Sequence, residues 1–171
     1  FGSSTIVVSV EAKKQPDGSY QAYTDCGRVR TGVEVFGWVK KVEELGCGEI
    51  LLTSIDAEGT GRGYDLELVR QVSTSVSIPV IASGGAGKIE HLAEVVRDGK
   101  ADAVSLSSCL HYQYIRRYYT DDDYSSEGNV AFLRSGQEFT KVQGARVDEI
   151  KKFLVDSGIP CRWPVEGAGG E

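Results

Sequence analysis

The stretch Ile78-Pro79-Val80-Ile81-Ala82-Ser83-Gly84-Gly85-Ala86-Gly87 decides how this chain is read. A β-branched apolar strand stops in Ser-Gly-Gly-Ala-Gly, and helical spacing starts at Lys88. A parallel strand presents its C-terminal end to a phosphate in this way. Glycine lets the backbone come close, and the amides of the turn and the helix start supply donors and positive potential. Gly84 and Gly85 are therefore candidate phosphate-binding residues.

Outward from that turn, strand and helix patterns alternate. Thr5 to Val10 is a β-branched strand with Glu11 at its exit. Residues 15–30 hold the turn Pro16-Asp17-Gly18, flanked by Tyr20 and Tyr23, which predicts a short hairpin or excursion. Val35, Trp38, Val39, Val42 and Leu45 recur at helical spacing, predicting a helix over 31–45 that stops at Gly46. Glu49 to Ile55 is an apolar strand suited to burial on both faces. The glycine-rich loop 56–63 follows, and then a helix capped by Asp65. Val80 to Ala82, the helix 88–97, and the strand Ala103 to Leu106 complete four βα units by about residue 112.

Strict alternation predicts an α/β fold with a parallel sheet and right-handed crossovers. A complete (β/α)8 barrel takes roughly 250 residues, so four units in 171 residues predict half of one. Residues 113–144, with four tyrosines and Asp121-Asp122-Asp123, break the periodicity and read as an insertion before a last helix that starts at Val147. The half-barrel domain is expected over 1–162, with 163–171 as a glycine-rich flexible tail. The chain contains no methionine and is expected to be a fragment of a longer protein.

A formal charge of −6 and the lack of a basic stripe argue against nucleic acid as partner. No apolar run reaches the roughly 20 residues of a membrane span. Cys26, Cys47, Cys109 and Cys161 have no metal-ligand spacing. Reduced thiols, a cytoplasmic location, and no cofactor or metal are expected.

Chemistry in such barrels lies at the strand exits. Glu11 could serve as general acid or base, or simply pair with Lys13 or Lys14; its place at a strand end makes the two readings comparable. The second exit, Thr53-Ser54-Ile55-Asp56-Ala57-Glu58-Gly59-Thr60-Gly61, is rich in carboxylates and hydroxyls. Asp56 could line the pocket or hydrogen-bond the loop backbone. Ser107-Ser108 follow the fourth strand, and with Ser83-Gly84-Gly85 they make the pair of loops that commonly forms a barrel phosphate site.

Gly48-Glu49-Ile50-Leu51-Leu52-Thr53-Ser54-Ile55-Asp56, with Gly59-Thr60, Gly63-Tyr64-Asp65 and Ile81 to Gly87, closely resembles the cyclase subunit of imidazole glycerol phosphate synthase. Phe1-Gly2-Ser3-Ser4 and Thr31-Gly32 fit the same family. The resemblance runs over residues 1–112, resumes at Val147, and matches strands five to eight of that barrel. It implies a lyase-type cyclase of histidine biosynthesis. Its substrate would be a bis-phosphorylated aminoimidazole carboxamide ribotide, and its ammonia would come from a glutaminase partner.

By the same resemblance, Glu11 takes the place of one of two catalytic aspartates. Gly59, Gly85, Ser107 and Ser108 bind a phosphate, Thr53 and Ser83 line the pocket beside Asp56 and Glu58, and Glu49 sits at the ammonia entrance. Glu11 and Glu58 stand where the family has aspartates, each one methylene longer. A displacement of about 1 Å can cost ~10²-fold in rate. The first four strands, with the other aspartate and phosphate site, are absent, so this half alone is expected to be inactive or weak. Two copies, or a complementing N-terminal half, are expected to close the barrel. Two competing readings are a paralogue delivering ammonia in sugar-nucleotide amidation and a non-catalytic phosphate-binding module.

Overall fold

The computed structural model describes residues 2–118 and 141–162. A single 3-10 turn, Ser3–Thr5, leads into β1 (Val7–Lys14). Next come β2 (Tyr20–Thr24), β3 (Val29–Glu34), α1 (Val35–Glu44), β4 (Glu49–Ser54) and α2 (Leu66–Ser73). They are followed by β5 (Val80–Ser83), α3 (Glu90–Arg97), β6 (Ala103–Val104), α4 (Ser108–Tyr118) and α5 (Val147–Asp156). The sheet order is β3-β2-β1-β4-β5-β6, with β1, β4, β5 and β6 parallel. These four strands form the predicted half barrel; β4, β5 and β6 are each followed directly by a helix, and β1 by β2 and β3 before α1.

Alternation along the strands separates two faces. Val10 and Ala12, Ile50 and Leu52, and Val80 and Ala82 are buried toward the helix layer. They meet Val35 and Val39 of α1, Leu68, Val69 and Val72 of α2, and Leu92 and Val95 of α3 in one core. Truncating a side chain as enclosed as Leu52 to alanine costs about 2–5 kcal/mol. The opposite face carries Val7, Ser9 and Glu11 on β1, Glu49, Leu51 and Thr53 on β4, and Ile81 and Ser83 on β5. Val7 there is 50% exposed.

Three sequence expectations are corrected. The first strand runs on to Lys14, because its second half pairs antiparallel with β2, Glu11 opposite Tyr23 through Lys14 opposite Tyr20. The predicted hairpin is therefore part of the sheet, and one of the two expected bare edges is covered along Glu11–Lys14. The helix expected from Thr31 begins only at Val35. Its first four residues are β-branched or extended and pair with β2 instead, with Thr31 Oγ1 donating to the Ala22 carbonyl at 2.6 Å. Glu34 then caps α1, its carboxylate accepting from the Phe36 and Gly37 amides at 2.9 and 2.7 Å.

The third correction concerns residues 113–144. Residues 113–118 continue α4, and 141–145 pack back onto the molecule, with Val142 and Ala145 buried. The remainder of that predicted insertion, and the tail 163–171, lie outside the described residues. Asp65 caps α2 as expected, accepting from the Leu68 amide at 3.0 Å, and the last helix ends near Gly158. Among the described residues no helix is long and apolar enough to cross a membrane.

Candidate active site

Strand register carries the site. Glu11 pairs with Thr53 across β1–β4, and Thr53 pairs with Ser83 across β4–β5. The three residues thus form one row on the open face at the C-terminal end of the parallel strands. Adjacent strands lie about 4.8 Å apart, so Glu11 and Ser83 are separated by about 10 Å. β1 continues past this row to reach β2, and so Glu11 sits mid-strand in sequence yet at the rim of the half barrel.

Beyond Ser83 the row opens into a pocket of about 470 Å³, part of it open to solvent. Glu58, Gly59 and Gly61 form one wall, Ser83, Gly84, Gly85 and Ala86 the floor, and Ser105, Leu106, Ser107, Ser108 and Val142 the far side. Among the described residues no lysine or arginine lines it. The donors on offer are neutral: serine hydroxyls, the start of α4, and turn amides. The Gly84, Gly85, Ser107 and Ser108 amides find no protein acceptor among the described residues. Orphan amides at a helix N-terminus are what an oxyanion needs.

Close backbone contact shapes the floor. The Gly63 amide donates to the Gly85 carbonyl at 2.8 Å, latching the loop after β4 to the turn after β5. Gly85 has φ 109°, and a Cβ there would collide with the Gly63 carbonyl. Only glycine fits this position. The segment 141–145 straps the other side: the Gln143 amide donates to the Gly87 carbonyl at 2.7 Å, and the Ala145 amide to the Cys109 carbonyl at 3.1 Å. Beneath the pocket the buried Tyr64 hydroxyl donates to the Ser105 carbonyl at 3.0 Å. Burial, with a smaller contribution from the Cys109 thiol, raises the Tyr64 pKa well above its usual value and keeps the hydroxyl protonated as a donor.

Of the residues singled out from sequence, Gly59, Gly84, Gly85, Ser107, Ser108, Ser83 and Glu58 are brought together in this pocket. Thr53 is buried beside it in the row without lining it. Asp56 neither lines this pocket nor bonds its own loop: its carboxylate accepts from the Lys14 amide of β1 at 2.9 Å, which corrects its place at the pocket wall. Lys14 itself pairs with Glu67 at 2.7 Å. Glu11 does not pair with Lys13 or Lys14 in a salt bridge; its Oε2 accepts from the Gly27 amide at 2.8 Å. Gly27 belongs to the β2–β3 turn, in which Asp25, Cys26 and Gly27 all have positive φ. Glu49 begins β4, half-buried at the opposite end of the sheet.

Residues 1–116 match the family described as histidine biosynthesis protein. The chain belongs to the histidine biosynthesis protein family. That match ends within α4, so it includes every pocket residue except Val142. The family consists of histidine-biosynthetic enzymes on (β/α) barrels, and in this member four of the barrel's βα units carry the exits just described.

Sequence reasoning missed several contributors. Val142 fell in a region read as irregular. Tyr64 lies in the quoted Gly63-Tyr64-Asp65 run, but its hydrogen bond to the Ser105 carbonyl left no signal in the sequence. His91 lies within α3 and is buried there.

Proposed function

We propose that this histidine biosynthesis family member is a cyclase-type half barrel, the counterpart of strands five to eight of the imidazole glycerol phosphate synthase cyclase subunit. The observation supporting this reading is the row Glu11–Thr53–Ser83 running into a pocket of serine hydroxyls and turn amides, with Glu58 on one wall, about 10 Å from the Glu11 strand. A phosphate seated against Gly84, Gly85, Ser107 and Ser108 would anchor one end of a phosphorylated ribotide. The ligand body would then lie along the row, within reach of the Glu11 carboxylate.

In this reading Glu11 moves a proton at the closing ring, and the Gly27 amide holds its carboxylate in place. The lyase step consumes ammonia delivered by a glutaminase docked at the Glu49 end, and it splits the substrate into imidazole glycerol phosphate and the aminoimidazole carboxamide ribotide. Closure of the barrel requires a second set of strands against the open face, for which a second copy of this chain is proposed. Sugar-nucleotide amidation and binding without catalysis are the competing outcomes.

The test is a turnover assay with the bis-phosphorylated aminoimidazole carboxamide ribotide and an ammonium salt. It is run on the chain alone and on the chain mixed with a complementing N-terminal half barrel. Weak or no turnover alone and clear turnover in the mixture is expected. Binding without turnover in both, or turnover only with a sugar nucleotide, would overturn the cyclase assignment.

A further inference from the structure

Among the described residues, one imidazole is buried. The His91 side chain is 8% exposed, and its Nδ1 accepts a hydrogen bond from the Gly87 amide at 3.2 Å. An accepting Nδ1 carries no proton, so the ring is neutral in this arrangement. The same ring lies against the neighbouring loop, where a Cβ on Gly63 would fall 3.5 Å from its Cδ2. His91 therefore touches both halves of the latch that shapes the pocket floor.

Gly87 has little freedom of its own. Its carbonyl accepts from the Gln143 amide, and a Cβ on it would collide with the Gly61 carbonyl. Through Gly87, the imidazole fixes the end of the turn that begins at Gly84.

We propose that His91 is a positioning residue for the anion pocket: neutral, it holds the Gly84–Gly87 turn in its binding shape, and protonated, it releases the turn and weakens the phosphate grip. This proposal rests on the phosphate-site reading above. Protonation would place an N–H on Nδ1 directly against the Gly87 N–H, replacing a hydrogen bond with two opposed donors in a buried setting. The charged groups bearing on the ring are Glu94 and Glu90 of its own helix and Lys88 of the segment just before it, while the packed 61–63 loop presents the Gly63 backbone to it. Burial holds the imidazole below its ordinary 6.5, and Glu94 opposes that only in part. The ring does not line the pocket, so its charge would reach an anion only at longer range.

The experiment titrates inorganic sulfate, which stays a dianion across the range, into the full chain and reads backbone amide shifts at about pH 7.5 and about pH 5. The expected wild-type result is a roughly tenfold loss of affinity at the lower pH, the scale of one hydrogen bond. The Gly87 amide should shift with the same midpoint. The His91→Asn variant keeps a non-titrating acceptor near the Nδ1 position, so it should bind like the wild type at about pH 7.5 and lose no affinity on acidification. The His91→Phe variant should bind roughly tenfold more weakly at both pH values.

Unchanged or tighter wild-type binding at about pH 5, or the same pH dependence in His91→Asn, would overturn the role of His91 alone. Absence of sulfate binding by the wild type at about pH 7.5 would overturn the phosphate-site reading together with it. Should His91→Phe fail to fold, the wild-type and His91→Asn titrations still decide.

Discussion

The Gly63 amide and the Gly85 carbonyl are joined at 2.8 Å, and this bond ties the loop after the second parallel strand to the turn after the third. The candidate pocket is built on that tie. Gly85→Ala would drive a methyl group into the Gly63 carbonyl at a φ that alanine rarely adopts. A loss of about 2–4 kcal/mol in urea unfolding is expected from overpacking and backbone strain together. Sulfate binding should vanish in whatever fraction remains folded. Near wild-type stability in the variant would show that the two loops separate easily and that the latch is not structural.

Tyr64→Phe removes one oxygen and little else. The Ser105 carbonyl then loses its donor beneath the pocket, which is expected to cost about 1–2 kcal/mol of stability. Because Ser105 precedes Ser107-Ser108, anion affinity should also fall by a few-fold. Thermal unfolding and sulfate titration together check this: a stability loss with unchanged affinity would restrict Tyr64 to packing.

Glu11→Gln preserves an acceptor for the Gly27 amide and removes the charge. In the assembled barrel, turnover should fall by at least ~10²-fold, in the range that general acid–base groups contribute, with phosphate affinity retained. Steady-state kinetics with the complementing half measure both quantities. Unchanged turnover would remove Glu11 from the chemistry and leave it as a clamp on the β2–β3 turn.

The parallel strands, their order of helices and the pocket glycines were legible in the sequence because each rests on a local signal. Val80 to Gly85 shows its apolar run and its glycines side by side, and Asp65 announces a helix by its own capping chemistry. The pairing of β3 with β2 was not legible. Thr31 and Val33, two residues apart, give too short a strand signal to stand apart from the helical pattern that begins at Val35, and the Thr31 hydroxyl finds its partner in the Ala22 carbonyl, nine residues away. The same holds for Asp56, whose partner is the Lys14 amide on another strand. Residues whose roles rest on distant backbone groups leave no periodic trace.

Glu43 offers a pH test away from the site. Its carboxylate accepts from both the amide and the hydroxyl of Ser77, tying α1 to the segment before β5. These bonds hold its pKa below the ordinary 4.5. A carboxyl depressed in the folded state adds stability above 4.5, and that stability is lost as pH falls through the lower, folded value. Glu43→Ala should therefore be less stable than the parent at neutral pH, with the gap narrowing below about pH 4.5. Urea unfolding over a pH series checks this; a constant gap would mean that the charge contributes nothing.

The open face of the half barrel leads to the last prediction. Val7 is half exposed there, and Leu51 and Ile81 are only partly covered, on the side of the sheet that a complete barrel encloses. The antiparallel β2 protects β1 only from Glu11 onward, so among the described residues the edge from Val7 to Val10 has no strand partner on that side. At the other side β6 spans two residues, too short to shield its neighbour's face. An apolar face with open edges gains by pairing with its own image about a two-fold axis, since each copy offers the same patch. Sedimentation velocity over a dilution series should show a dimer that dissociates only at low concentration. Val7→Glu should shift the equilibrium to monomer while leaving sulfate binding intact. A monomer at all concentrations would eliminate self-association, and monomers that associate only with the complementing half barrel would assign the open face to that partner.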